Sequence, residues 1–140
     1  MLRGQLGRAE RDKVLFVFEG LVGTLPERSR QEARCIRRKR WEWALDYWSF
    51  DYQVLDYINR TMQYHDVEVV TWKPAGFAAV LHDRLWAAEV FVDATKSASY
   101  RSLSQRTATD TRVSLVYDPD PTHRWGYGFK AREFSIGDIR

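Results

Sequence analysis

Short unbroken apolar runs alternate along this chain with stretches whose apolar residues recur at helical spacing. The first run, Val14 to Phe18, closes on Glu19 and is followed by Gly20, Gly23 and Pro26. A run of that length bounded by glycine and proline reads as a strand over 13–19, buried on both faces as in the middle of a parallel sheet. Residues 26–48 show no clean period. Ser29 can cap a short helix there with Glu32 three positions on, and the knot Trp41, Trp43, Tyr47, Trp48 reads as an insertion lying over the sheet edge. Val54, Leu55, Ile58 and Met62 predict a helix from Ser49 to about 64–66, with Asp51 favourably placed at its start. The segment 67–72 (VEVVTW) is a second buried strand, and Phe77, Val80, Leu81 and Leu85 share the face of another helix. A third strand is expected over 89–94, then a helix over 98–107 capped by Ser97. Val113 to Tyr117 is the fourth strand. A turn of helix over 123–127 and a last strand near 129–134 complete the chain. Such βα alternation specifies an α/β fold: a three-layer arrangement in which a parallel sheet carries helices on both faces.

Composition narrows the possibilities. The 140 residues are 44% hydrophobic and 29% charged, as expected for one globular domain over 13–140 behind a flexible arm at 1–12. No run approaches the roughly 18 apolar residues of a membrane span. The first dozen residues also lack the apolar core of a signal peptide, so a cytoplasmic protein is expected. Cys35 is the single cysteine, which excludes an internal disulfide or a cysteine-cluster zinc site. His65, His82 and His123 have no metal spacing. Six tryptophans and seven tyrosines are a heavy load, so some rings must lie at the surface or line a groove.

The net charge of +3 is unevenly spread. Between Glu27 and Arg40 seven cations face two acids, so this segment is +5 and the remainder −2. Arg34, Arg37, Arg38, Lys39 and Arg40 lead directly into Trp41 and Trp43. A charge run is most often a solvated face. Cations leading into aromatics also suit the backbone and bases of a single-stranded nucleic acid, a nucleotide, or an acidic protein partner.

Parallel strands share one C-terminal rim, the edge where ligands bind in open α/β sheets. Gly20–Thr24, Thr71–Lys73, Thr95–Lys96 and Asp118–Asp120 would meet there. Hydroxyls, lysines and paired carboxylates suit a phosphate and a Mg²⁺ ion, with Asp118 and Asp120 as metal ligands. The pattern resembles the haloacid dehalogenase-like (HAD-like) superfamily over roughly residues 13–134. Gly23-Thr24-Leu25 is similar to the tail of that family's first motif, Asp-x-Asp-Gly-Thr/Val. Thr71 resembles the hydroxyl that ends its second motif, Lys96 the lysine of its third, and VYDPDP (116–121) its acidic fourth. The resemblance implies a Rossmann-like fold and aspartate-based phosphoryl transfer; the VYDPDP ending is similar to HAD-like proteins of bacteriophages.

The first motif departs from the family. Laying Gly23-Thr24 on its Gly-Thr puts Gly20 at the nucleophilic aspartate and Val22 at the second. Glu19 is the nearest carboxylate but lies one position early, and one step along a strand reverses the face. A covalent aspartyl-phosphate route needs that side chain. The expectation is therefore a non-catalytic HAD-like binding or regulatory protein contacting its partner through the basic-aromatic segment. The alternatives are an Mg-dependent phosphatase or phosphotransferase of nucleotides or nucleic-acid ends, and a nucleic-acid-binding protein for which the rim is only scaffold. Bland readings stand beside each residue: Asp-Pro-Asp-Pro is an ordinary strand-ending turn, Thr71 a loop cap, Lys96 a solvated side chain. Arg124 and Trp125 are expected to pack against the rim.

Overall fold

Strand β1 (Lys13–Val17) is sealed on both faces: Val14, Leu15, Phe16 and Val17 are all at most 1% exposed. Its alternation feeds two separate cores. Val14, Phe16 and Phe18 join a cluster containing Leu45, Val54, Ile58, Phe77 and Leu81. Leu15 and Val17 join Leu103, Val116 and Tyr127 on the other side. The structure, a computed structural model, describes residues 11–27 and 29–134. Most of the expected N-terminal arm lies outside the described residues.

The remaining elements are β2 (Gly23–Thr24), α1 (Arg30–Arg37), α2 (Trp41–Asp46), β3 (Ser49–Phe50), α3 (Tyr52–Thr61), β4 (Asp66–Thr71), α4 (Ala75–Ala87), β5 (Ala94–Ser97), α5 (Tyr100–Thr109), β6 (Val113–Tyr117), a 3-10 turn at Pro121–His123, α6 (Arg124–Tyr127), a second 3-10 turn at Gly128–Lys130 and β7 (Ala131–Arg132). The sheet order is β5-β4-β1-β6-β7, with every pairing parallel. Helices α2, α3 and α4 cover one face, and α5 and α6 the other, as the membership of the two cores shows. The fold is thus the three-layer, Rossmann-like α/β arrangement. Among the described residues, no helix is long and apolar enough to cross a membrane.

The helix starts follow local chemistry. Ser29 accepts from the Glu32 amide, and Asp51 accepts from the amides of Gln53 and Val54. Ser99 and Ser102 form a reciprocal capping box at α5. Several boundaries differ from the sequence expectation; α3, for one, ends at Thr61 rather than at 64–66. The third strand forms at 94–97, not 89–94. Val90 and Val92 are buried as the chain leaves α4, whereas the pairing residues Ala94–Ser97 sit at the sheet edge, half-buried or exposed and without an apolar pattern. The α5 cap accordingly moves from Ser97 to Ser99. Ser49 and Phe50 pair antiparallel with Gly23 and Thr24 rather than opening α3. The last strand shortens to two residues.

The segment 26–48 is more regular than its composition suggests. It forms α1 and α2, with Ala44 and Leu45 fully buried and Cys35 and Ile36 packed on the core. Gly76 makes this possible, because a Cβ there would overlap the Trp41 indole. Trp125 corrects another expectation: it is 91% exposed and does not pack on the rim. Arg124 instead reaches Glu133, with both side chains in solvent.

Candidate functional site

Three parallel strands, β1, β4 and β6, bring their C-terminal tails together at the rim. After β1 the chain turns tightly: the amides of Leu21 and Gly23 both donate to the Phe18 carbonyl, and Gly20 N donates to the Gly23 carbonyl. Gly20 has φ +86, a conformation that costs other L residues strain. A Cβ at this position would sit 3.3 Å from Pro119 Cγ. A side chain at position 20 would therefore press on Pro119, which would have to give by a few tenths of an ångström. Val22 is 0% exposed and belongs to the larger core, so position 22 faces apolar side chains and not the rim.

Glu19 turns toward β4. Thr71 Oγ1 donates to Glu19 Oε2 at 2.6 Å, and the Trp72 amide donates to Oε1 at 3.1 Å. Thr71 also accepts from the Lys73 amide at 3.1 Å. Its hydroxyl thus both donates and accepts within the protein, and the residue is 0% exposed. Burial raises the Glu19 carboxyl above its usual range, an effect only partly offset by the bonds from Thr71 and Trp72 and the Lys73 charge. Lys73 in turn lies 3.7 Å from Glu32, a buried α1 carboxylate that also accepts from the Trp48 indole at 3.0 Å.

Asp118 is similarly engaged. Its Oδ1 accepts from the Asp120 amide, and its Oδ2 from Tyr127 Oη at 2.6 Å and His123 Nδ1 at 2.7 Å. A carboxylate partner puts the imidazole proton on Nδ1. The ring stacks on Tyr100 at 4.1 Å between centroids and meets Trp72 edge-on. Burial, then the hydrogen bond to Asp118 and its charge, push the Tyr127 phenol upward. Asp120 accepts from the hydroxyl and amide of Thr122, which hold its carboxyl below the usual range.

These bonds bear on Mg²⁺. An ion at Asp118 and Asp120 needs free carboxylate oxygens, and here Asp118 Oδ2 accepts two bonds and Oδ1 one, while Asp120 Oδ1 accepts from Thr122 and its Oδ2 lies 3.4 Å from His123 Nε2. Among the described residues, no group of three or more His, Cys, Asp or Glu side chains is placed to hold a metal. The residues do not fit the ion. The cavity beside Gly20, about 240 Å³, is lined by Asp51, Asp118 and Glu133 with no cation. It is smaller than most ligand sites and repels a phosphate.

Lys96 is not part of the rim constellation. Its Nζ lies 3.6 Å from Glu68, in the middle of β4. Glu68 is 2% exposed and receives a two-pronged Arg106 contact at 2.6 and 2.8 Å, with Lys13 at 3.5 Å. Burial alone would raise this carboxyl, but the Arg106 bonds and the charges of Arg106, Lys96 and Lys13 outweigh it and hold it low.

The basic-aromatic segment presents the opposite character. Arg34, Arg37, Arg38, Lys39 and Arg40 are all exposed. Among the described residues, none of the five forms an ion pair with a carboxylate. Trp41 and Trp43, grouped in one aromatic knot by the sequence, take different roles: Trp41 is half-buried against Gly76, whereas Trp43 is 58% exposed with the Arg40 guanidinium 4.9 Å over its ring. Lys39 to Trp43 and Val80 of α4 line an open groove of about 460 Å³.

Sequence reasoning missed His123 and Tyr127, whose spacing from Asp118 matches no motif, and the link from Glu32 through Lys73. It placed Val80 on the inward face of α4, but not at the wall of a groove. No protein-family model matches this chain, and no curated protein or solved structure matches it.

Proposed function

We propose that this chain is a non-catalytic, HAD-like binding or regulatory protein of the cytoplasm, which engages its partner through the α1–α2 face rather than the sheet rim. One observation carries the reading: the position after Glu19 is a glycine at φ +86 with Pro119 tight against the place of a Cβ, so no carboxylate stands where the family's nucleophile would be. The same rim has Thr71 bonded on both sides, Asp118 bonded by three donors, and a cavity whose charged lining is acidic. Phosphoryl transfer relies on positioned cations against the phosphate charge, yet Lys73 and Lys96 point to Glu32 and Glu68.

The test is hydrolysis of a generic phosphomonoester with and without Mg²⁺. The expected result is no turnover above buffer and no Mg²⁺ effect on thermal stability. Turnover that requires Mg²⁺ and disappears in Asp118→Asn would replace this reading with a phosphatase or phosphotransferase using a nonstandard nucleophile.

A further inference from the structure

The α1–α2 junction is a small basic platform with aromatic walls. Helix α1 ends in a Schellman closure: the Lys39 amide donates to the Ile36 carbonyl at 3.1 Å and the Arg40 amide to the Cys35 carbonyl at 2.8 Å. The residue at its left-handed position is Lys39, φ 58, where glycine is the usual and less strained occupant. Arg34 and Arg37 in the last turn suit the helix dipole. That accounts for two cations, but not for Arg38, Lys39 and Arg40 beyond the helix. Trp41 is fixed by its contact with Gly76, so its indole forms a rigid wall, and Trp43 opens to solvent beneath Arg40. Glu42 is the one acid on the groove lining.

We infer that this groove binds single-stranded nucleic acid, with bases stacking on Trp43 and against the Trp41 wall while Arg37, Arg38, Lys39 and Arg40 track the phosphates. The inference rests on the proposed role of the α1–α2 face as the contact surface. Charge complementarity selects a polyanion: Lys39 and Arg40 line the groove, and they and Arg34, Arg37 and Arg38 of the preceding turn are exposed without an ion-pair partner among the described residues. The aromatics select among polyanions. An acidic peptide has few flat faces to stack, whereas every base has one, and a base must be unpaired to lay that face on a tryptophan, which selects a single strand over a duplex.

The experiment is fluorescence anisotropy of a labelled oligothymidylate of about ten nucleotides, alongside an abasic deoxyribose-phosphate strand of equal length and a polyglutamate peptide. The oligothymidylate is expected to bind with strong salt dependence and roughly tenfold more tightly than the abasic strand, quenching tryptophan fluorescence. Trp43→Ala should remove most of that preference, and Arg37→Ala with Arg38→Ala should lower affinity for both strands and flatten the salt slope. Circular dichroism checks that these surface variants remain folded. Equal affinity for the abasic strand, tighter binding of polyglutamate, or no binding at low salt would overturn the inference. None of those results alters phosphomonoester turnover, which tests the non-catalytic reading separately.

Discussion

Thr71 at the rim gives one hydrogen bond and accepts another, Asp118 accepts three, and Lys73 faces the buried Glu32. On the outer side of α1 and α2, five cations and an exposed indole meet solvent instead. The two regions share a border: Glu32 of α1 turns inward to Lys73 and Trp48, while Arg34 and Arg37 of the same helix turn outward. The difference teaches that polar residues at a sheet's C-terminal edge do not by themselves make a site. A reacting ligand needs groups whose bonding capacity is open, and at this rim the protein uses most of it internally.

Substitutions can break or sharpen that contrast. The largest effect is expected from Val22→Asp, which buries a carboxylate in the core without a partner. Urea denaturation should show a loss of about 4 kcal/mol; a stable variant would mean that position 22 can reach the rim. Asp118→Ala should cost about 3 kcal/mol, because Tyr127, His123 and the Asp120 amide all lose their acceptor. It should leave oligonucleotide affinity unchanged, and reduced affinity would tie the rim to binding.

Glu19→Gln probes the rim by pH. The folded-state carboxyl is raised, so between its ordinary value and its folded value the native state holds more protons than the unfolded state. Stability of the parent chain should therefore fall as pH rises through that window, and the glutamine variant should lack this slope in pH-dependent melts. The smallest effect concerns the basic face. Lys39→Gly relieves a left-handed lysine and should add about 0.5 kcal/mol of stability while weakening oligonucleotide binding. Loss of stability, or unchanged binding, would assign Lys39 a purely structural role.

Much of the fold was legible because β1, β4 and β6 are apolar runs buried on both faces, a signal that survives without knowledge of their partners. The edge strand β5 carries little buried surface and left no such pattern, so the apolar residues 90–92 drew the expectation to the wrong segment. Helix α2 hid behind a tryptophan-rich composition, and the reason it forms lies far away, in the bare backbone of Gly76. The rim's constituents could be named from strand ends alone. Whether they were free could not, because that depends on His123, Tyr127 and Pro119 folding back over them.

The most direct test of the contrast is a titration of isotope-labelled protein with the oligothymidylate, followed by amide chemical shifts. The account predicts perturbations at 34–43 and at Val80, with the amides of Gly20, Trp72 and Asp120 unmoved. Shifts concentrated at those rim amides, with the α1–α2 face silent, would contradict it.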